Sequence, residues 1–275
     1  MLKIKIIAFD LDDTLLDHSK RIGDKTREVL TRAVQEHGLI LTVASGRPMD
    51  GTRVVLNQLP VIQYAVLANG AVVADRDGRR IAEFPIQRDI ALRYYDYAAE
   101  RGYICDFFVG DDRVVPPDWE EYIYHSEYSE PTKMMLTSAY RQVEDQRAYL
   151  LSLSSVEKIS MRFPTMEEKD AAFPAVVKEF PDLQISYSGT ALLEAVAGGI
   201  SKAVGLTALA RHLGCGIENV MAFGDNKNDI EMLKAAGIGV AMGNAIEEAK
   251  MAADRIARSC DEDGIAWMVE EVLGW

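Results

Sequence analysis

The stretch KIKIIAFDLDDT, residues 3–14, decides the fold. Its first nine residues, 3–11, are β-rich and mostly apolar. Such a run suits a strand buried on both faces of a parallel sheet, where an alternating pattern would suit a half-exposed one. Three aspartates, Asp10, Asp12 and Asp13, crowd at its carboxyl end. Downstream, Val29, Leu30, Ala33 and Val34 recur at helical spacing within 24–37, and Gly38 stands where a helix C-cap belongs. LILTVAS (39–45) reads as a second buried strand, a helix is expected after Pro48, and YAVLA (64–68) reads as a third strand. Strand, helix, strand, helix, strand predicts a doubly wound, Rossmann-like α/β sheet.

The pattern changes after Asn69. AVVADRDGRRIAEF reads as a hairpin turning at Asp77-Gly78. A helix is expected over 88–101, a hairpin through GDDR (110–113), a polar, aromatic segment to Pro131, and a helix over 138–152. VEKISMRF (156–163) reads as a strand, 165–180 as a helix despite Pro174, and LQISYSG (183–189) and LLEAVA (192–197) close this α+β region. The alternation returns after Gly199, with a helix over 201–213, a strand VMAFGD (220–225), a helix DIEMLKAAG (229–237) and a strand IGVAMG (238–243). The expectation is one core made of both ends of the chain, 1–82 and 189–275, interrupted by a second domain over 83–188.

Composition narrows the function classes. At 275 residues and 48% hydrophobic, the chain can bury a real core. Its formal net charge of -13 disfavours nucleic acid and anionic lipid as partners. Cys105, Cys215 and Cys260 are odd in number, without paired metal-ligand spacing, and read as reduced thiols. No apolar run has transmembrane length and the N-terminus lacks a secretory pattern, so a cytoplasmic protein is expected.

Ligands of open α/β sheets bind at the carboxyl ends of strands. Carboxylates crowded there repel one another unless a cation or proton compensates. A second acidic group, Gly224-Asp225-Asn226-Lys227-Asn228-Asp229, also ends a buried strand and opens a helix. Taken singly, the first cluster could be a solvated turn, and Asp225 or Asn226 a helix cap. Two such clusters in one sheet are harder to explain as caps, and together they supply the ligands of one Mg²⁺. Ser45-Gly46-Arg47 ends the second strand and offers a hydroxyl and backbone N–H groups for a phosphate oxygen; a plain N-cap serine is about as good a reading alone. Lys202 opens a helix and can neutralise phosphate and aspartates, although single lysines are usually just solvated. Gly237-Ile-Gly239 does not fit a dinucleotide fingerprint, and His18, His37, His125 and His212 show no ligand spacing.

In this order, the signals resemble the haloacid dehalogenase-like (HAD) superfamily. DxDx[TV] matches Asp10 to Thr14, a strand-end Ser matches Ser45, a Lys matches Lys202, and GDxxxD matches Gly224 to Asp229. SGRP (45–48), ANGA (68–71), GDNKNDIEML, GVAMGNA (239–245), AADRIA (252–257) and EDGIA (262–266) are similar to the Cof-type subgroup, whose inserted α+β cap is of the C2 type. Asp13 replaces the usual Gly, Ala203 follows Lys202 where Gly is frequent, and Ala197-Gly198 replaces a common Pro-containing stretch.

The resemblance implies a Mg²⁺-dependent phosphatase of small phosphorylated metabolites, such as sugar phosphates or phosphorylated cofactors. Asp10 is then the nucleophile, and Asp12 the acid that protonates the leaving oxygen and later activates water. Asp10, the Asp12 carbonyl and Asp225 hold the metal, with Asp229 beside them. Ser45, the 45–47 backbone, Lys202 and Asn228 hold phosphate. A sugar phosphomutase is the nearest alternative, and a non-catalytic phosphate-sensing module is the alternative from another class.

Overall fold

The structure, a computed structural model, describes residues 4–275 apart from 127, 129, 139 and 188–190 and the side chains of residues 131, 135 and 187. The chain divides into two compact units, one comprising 1–46, 52–82 and 201–275, the other 47–51 and 83–200.

The first unit is built on β1 (Ile6–Phe9), β2 (Ile40–Ala44), β3 (Ile62–Leu67), β4 (Val72–Asp75) and β5 (Arg80–Glu83). Beyond the insertion, whose strands are β6 to β13, the chain returns as β14 (Val220–Gly224), β15 (Ile238–Ala241) and β16 (Arg255–Ile256). The strand order is β16-β15-β14-β1-β2-β3-β4-β5. The run from β16 to β3 is parallel, and β4 returns antiparallel to β3. This is the doubly wound α/β core expected from the sequence.

Every residue of β1 and β14 is buried, as their unbroken apolar runs require. Burying each large side chain there stabilises the core by roughly 1.5–3 kcal/mol. From β1 the chain steps to β2 on one side, while β14 to β16 fill the other. The switch point of the winding therefore falls at β1, and open α/β sheets bind ligands beyond the strand ends at such a point. The parallel register pairs Phe9 with Phe223, which brings Asp10 and Asp225 out at the same end. The helix Asp24–His37 stops at Gly38 because its φ of 64° is left-handed, a conformation glycine adopts freely.

The second unit contains β6 (Ile86–Gln87), β7 (Ile104–Val109), β8 (Asp112–Val115), β9 (Arg141–Gln142), β10 (Ser155–Val156), β11 (Lys158–Arg162), β12 (Leu183–Tyr187) and β13 (Leu192–Ala197). Its larger sheet runs β12-β13-β11-β7-β8-β9 and is antiparallel except between β8 and β9. The helices Arg88–Ala99, Gln146–Ser152 and Met166–Glu179 belong to the same unit. Tyr94, Phe107, Ile159, Met161 and Phe180 share its core.

Two expectations change here. The helix expected over 138–152 begins only at Gln146, capped by Asp145, which accepts the Ala148 N–H. The segment read as merely polar and aromatic forms two helices, Trp119–His125 and Glu130–Ser138. Their anchor is Trp119, fully buried, whose Nε1 donates to the Leu136 carbonyl. One aromatic with a satisfied polar handle outweighs the polar composition around it. The expected domain boundary at 188/189, with the end of LQISYSG, lies outside the described residues. The strand Leu192–Ala197, the LLEAVA that closes the α+β region in the sequence, pairs with β11 and β12 in the second unit.

Candidate active site

Asp10 follows β1 directly, and its N–H donates to the Phe223 carbonyl, extending the ladder by one bond. The chain then folds back, with the Leu15 and Leu16 N–H groups donating to the Asp10 and Leu11 carbonyls. This reversal puts Asp13 at φ 61°, a left-handed conformation that glycine adopts more freely than any other residue. Asn244 holds the strained residue through a 2.7 Å bond from Nδ2 to the Asp13 carbonyl. Lys20 Nζ donates to Asp12 Oδ1 at 3.0 Å and to Asp13 Oδ1 at 3.3 Å.

Lys202, the first residue of the helix Lys202–His212, has a side chain with no exposure. Its Nζ donates at 2.6 Å both to Asp10 Oδ1 and to Asp229 Oδ1. Asp229 Oδ2 accepts the N–H groups of Asp225 and Asn226, each at 3.0 Å. Both Asp229 oxygens are thus engaged. Asp225 Oδ1 accepts from the Thr14 hydroxyl at 2.7 Å, tying the first acidic loop to the second. A Cβ on residue 224 would lie 2.5 Å from Asp229 Cβ, so the loop closes this tightly only with glycine.

Asp10, Asp225 and Asp229 each offer an oxygen, and these lie within 4.8 Å of one another. Burial pushes the Asp10 carboxyl well above the usual range; Lys202 opposes this, while Asp229 and Asp225 reinforce it. Burial, with the charge of Asp229, pushes Asp225 up to about 7 against the Thr14 hydrogen bond. Burial would lower Lys202, yet Asp10 and Asp229 outweigh it, so the ammonium stays charged. Three carboxylates against one ammonium leave two negative charges when all are ionised. An all-oxygen site with that residual charge fits a hard divalent cation. Asp10 and Asp225 are the carboxylates that would hold it, while Asp229 braces Lys202 and the loop.

Ser45 is 2% exposed at the end of β2. Its N–H donates to the Val66 carbonyl, and its carbonyl accepts the Asn69 N–H. Asn69 is left-handed (φ 55°, ψ 31°), and its Oδ1 accepts from Asn228 Nδ2 at 3.2 Å. The 45–46 turn and the 224–229 loop are therefore joined through Asn69. A Cβ at Gly70 would fall 2.0 Å from the Ser201 carbonyl, so this turn also packs against the start of the Lys202 helix. Arg47 falls with the second unit, where its Nη1 donates to the Gly51 carbonyl at 3.2 Å.

The structure brings Asp10, Lys202, Asp225 and Asp229 into one cluster, places Asp12 beside it on the same loop, and links Asn228 to the Ser45 turn. Sequence reasoning gave no individual role to Thr14, Lys20, Asn69 or Asn244. Thr14 stood inside the first motif, and Asn69 and Asn244 inside ANGA and GVAMGNA, but nothing in those strings shows whom they contact. Lys20 carried no signal.

A model of the haloacid dehalogenase-like hydrolase family matches residues 7–269. The chain belongs to this family. Among curated proteins it is similar to phosphatase YwpJ of Bacillus subtilis, with 29% identity, covering 98% of this chain and 100% of the relative. It is also similar to the 5-amino-6-(5-phospho-D-ribitylamino)uracil phosphatase YcsE of the same organism, with 28% identity, covering 96% and 93%. Among solved structures, a haloacid dehalogenase-like hydrolase from B. subtilis superposes with a TM-score of 0.86 at 26% identity, covering 98% and 100%. The subclass IIB sugar phosphatase BT4131 superposes with a TM-score of 0.80 at 27% identity, covering 98% and 99%. Among the described residues, no helix is long and apolar enough to cross a membrane.

Proposed function

We propose that this hydrolase is a Mg²⁺-dependent, cytoplasmic phosphatase of small phosphorylated metabolites that works through an aspartyl-phosphate on Asp10. The observation that carries the reading is the buried bridge from Lys202 to Asp10 and Asp229, with Asp225 beside it. Lys202 fixes one Asp10 oxygen and leaves the other to attack. Asp10 attacks phosphorus in line, the ester P–O bond breaks, and Asp12 gives its proton to the leaving oxygen. Lys20 then stabilises the resulting Asp12 carboxylate. Asp12 next takes a proton from water, which attacks phosphorus and frees Asp10 and inorganic phosphate. Ser45, the Gly46 backbone, Lys202 and Asn228 hold the remaining oxygens. Bound Mg²⁺ supplies positive charge that offsets repulsion between Asp10 and the phosphate.

The test is inorganic phosphate release over a metabolite panel with Mg²⁺. The panel begins with sugar phosphates and phosphorylated ribityl compounds, the classes for which relatives are named. Phosphate should accumulate for at least one class. Product formed without phosphate release would favour a mutase, and no turnover of any member would favour a phosphate-sensing module.

The metal is tested apart from turnover. Protons compete with the cation for Asp10 and Asp225, whose carboxyls are raised above their ordinary values. Carboxylates raised by folding make the metal-free protein lose stability as pH climbs from about 4 towards those raised values. Mg²⁺ at about 100 times its Kd should add roughly 2.7 kcal/mol. The rise in Tm should be several degrees at pH 8 and much smaller at pH 5. Calorimetry showing no shift at either pH would remove the cation from this cluster.

We propose the inserted unit as a cap that selects substrate, because Asp10, Asp12, Lys202, Asp225 and Asp229 all lie in the first unit. Specificity must come from contacts that differ between transition states. Replacing residues 83–200 with the equivalent segment of a relative of different preference should move the ranking of substrates and keep the need for Asp10. An unchanged ranking in a well-folded exchange would put selection in the core loops.

A further inference from the structure

We propose that His18, Cys260 and Asp261 form a second metal site that takes a borderline-soft divalent ion, Zn²⁺ in particular. These residues are 242 and 243 positions apart in sequence yet meet on the surface of the first unit. His18 Nδ1 lies 2.5 Å from Asp261 Oδ2 and 4.0 Å from Cys260 Sγ. The three ligand atoms fall within 4.8 Å of one another.

An ion pair accounts for His18 and Asp261 but not for the thiol. A nucleophile-base-acid relay accounts for neither, because it needs the thiol and the carboxylate on opposite ring nitrogens. Here both face Nδ1. Three donors converging on one point are the arrangement a cation organises. Nitrogen, sulfur and oxygen together select Zn²⁺ and its neighbours over Mg²⁺, which wants oxygen alone.

The backbone around the donors is already fixed. The His18 N–H donates to Asp261 Oδ1 at 3.1 Å. The Cys260 N–H donates to Asn244 Oδ1 at 2.9 Å, and Asn244 is held in turn by the Asp13 carbonyl. Asp263 Oδ1 accepts from both the N–H and the hydroxyl of Thr26, pinning the far side of the turn. The His18 and Asp261 side chains are 62% and 51% exposed, leaving an entry path and room for water as a fourth ligand. Zinc–ligand bonds of roughly 2.0–2.3 Å require Nδ1 and Oδ2 to separate by about 1 Å, a small rotation for an exposed imidazole. Binding releases the thiol proton and the proton shared by His18 and Asp261 to the buffer.

Co²⁺ is the probe, titrated into the chelator-stripped full chain in saturating Mg²⁺. A thiolate-to-cobalt charge-transfer band should grow in the near ultraviolet to one equivalent and vanish when Zn²⁺ displaces the cobalt. The carboxylate cluster has no sulfur, so this band reports the second site alone. C260S should abolish it. H18A and D261A should weaken binding about ten-fold or more. D225N should leave it unchanged. The absence of a band, its survival in C260S, or wild-type affinity in both H18A and D261A would overturn the site. None of these readouts depends on phosphatase turnover.

Discussion

Asp10→Asn is expected to abolish phosphate release, by roughly 10⁴-fold or more, while the protein remains folded. The substitution keeps the shape of the side chain and its bond from Lys202, but an amide oxygen is a far weaker nucleophile than a carboxylate. A 10⁴-fold loss corresponds to about 5.5 kcal/mol of barrier. The fold should not suffer. Asp10 is 8% exposed, and burial with two neighbouring carboxylates raises its carboxyl well above the ordinary range. Replacing it with a neutral group removes one of three crowded charges, so Tm at pH 8 should hold or rise. Lost turnover with undiminished stability separates a chemical role from a structural one. Near-normal phosphate release, in fresh protein whose asparagine is verified by mass, would sink the covalent route.

The core was legible because its strands are unbroken apolar runs ending in acidic clusters, and such runs have few alternatives. KIKIIAFDL and VMAFGD announce both their burial and the strand ends where Asp10 and Asp225 emerge. The sequence did not disclose that Lys202 would bridge Asp10 and Asp229, since that contact spans 192 positions to one partner and 27 to the other. The insertion was harder to read. Its Trp119–His125 helix depends on where one indole finds a carbonyl, and composition carries no trace of that. His18 read as an ordinary histidine because its partners, Cys260 and Asp261, arrive from the far end of the chain. Spacing rules find ligands that share a helix or loop; they miss those that only topology brings together.

Lys202→Met is expected to cost more stability than any other single change at this site, with a loss that grows as pH rises. The ammonium is fully enclosed and hydrogen-bonded to two carboxylates. Removing one partner of a buried ion pair typically costs 3–5 kcal/mol, because the other is left uncompensated. For a chain of this size that is a fall in Tm on the order of 10 °C. Within pH 5–8 the wild-type lysine stays protonated, so its own titration contributes no pH dependence there. The dependence comes from the carboxylates. Without Lys202, Asp10 loses the charge that opposes its upward shift, and its folded value climbs further above the unfolded value of about 3.9. A group raised by folding binds its proton more tightly in the folded state, so stability falls with rising pH until the folded group has ionised. The gap in Tm between wild type and K202M should therefore be small at pH 5 and largest near pH 8. Added Mg²⁺ should narrow it at pH 8 by restoring positive charge to the cluster, without restoring turnover, since the Lys202 contacts to Asp10 and to phosphate remain missing. Calorimetry across pH, with and without Mg²⁺, measures each part. An equal loss at pH 5 and pH 8 would mean that Lys202 acts through packing and not through the charges of Asp10 and Asp229.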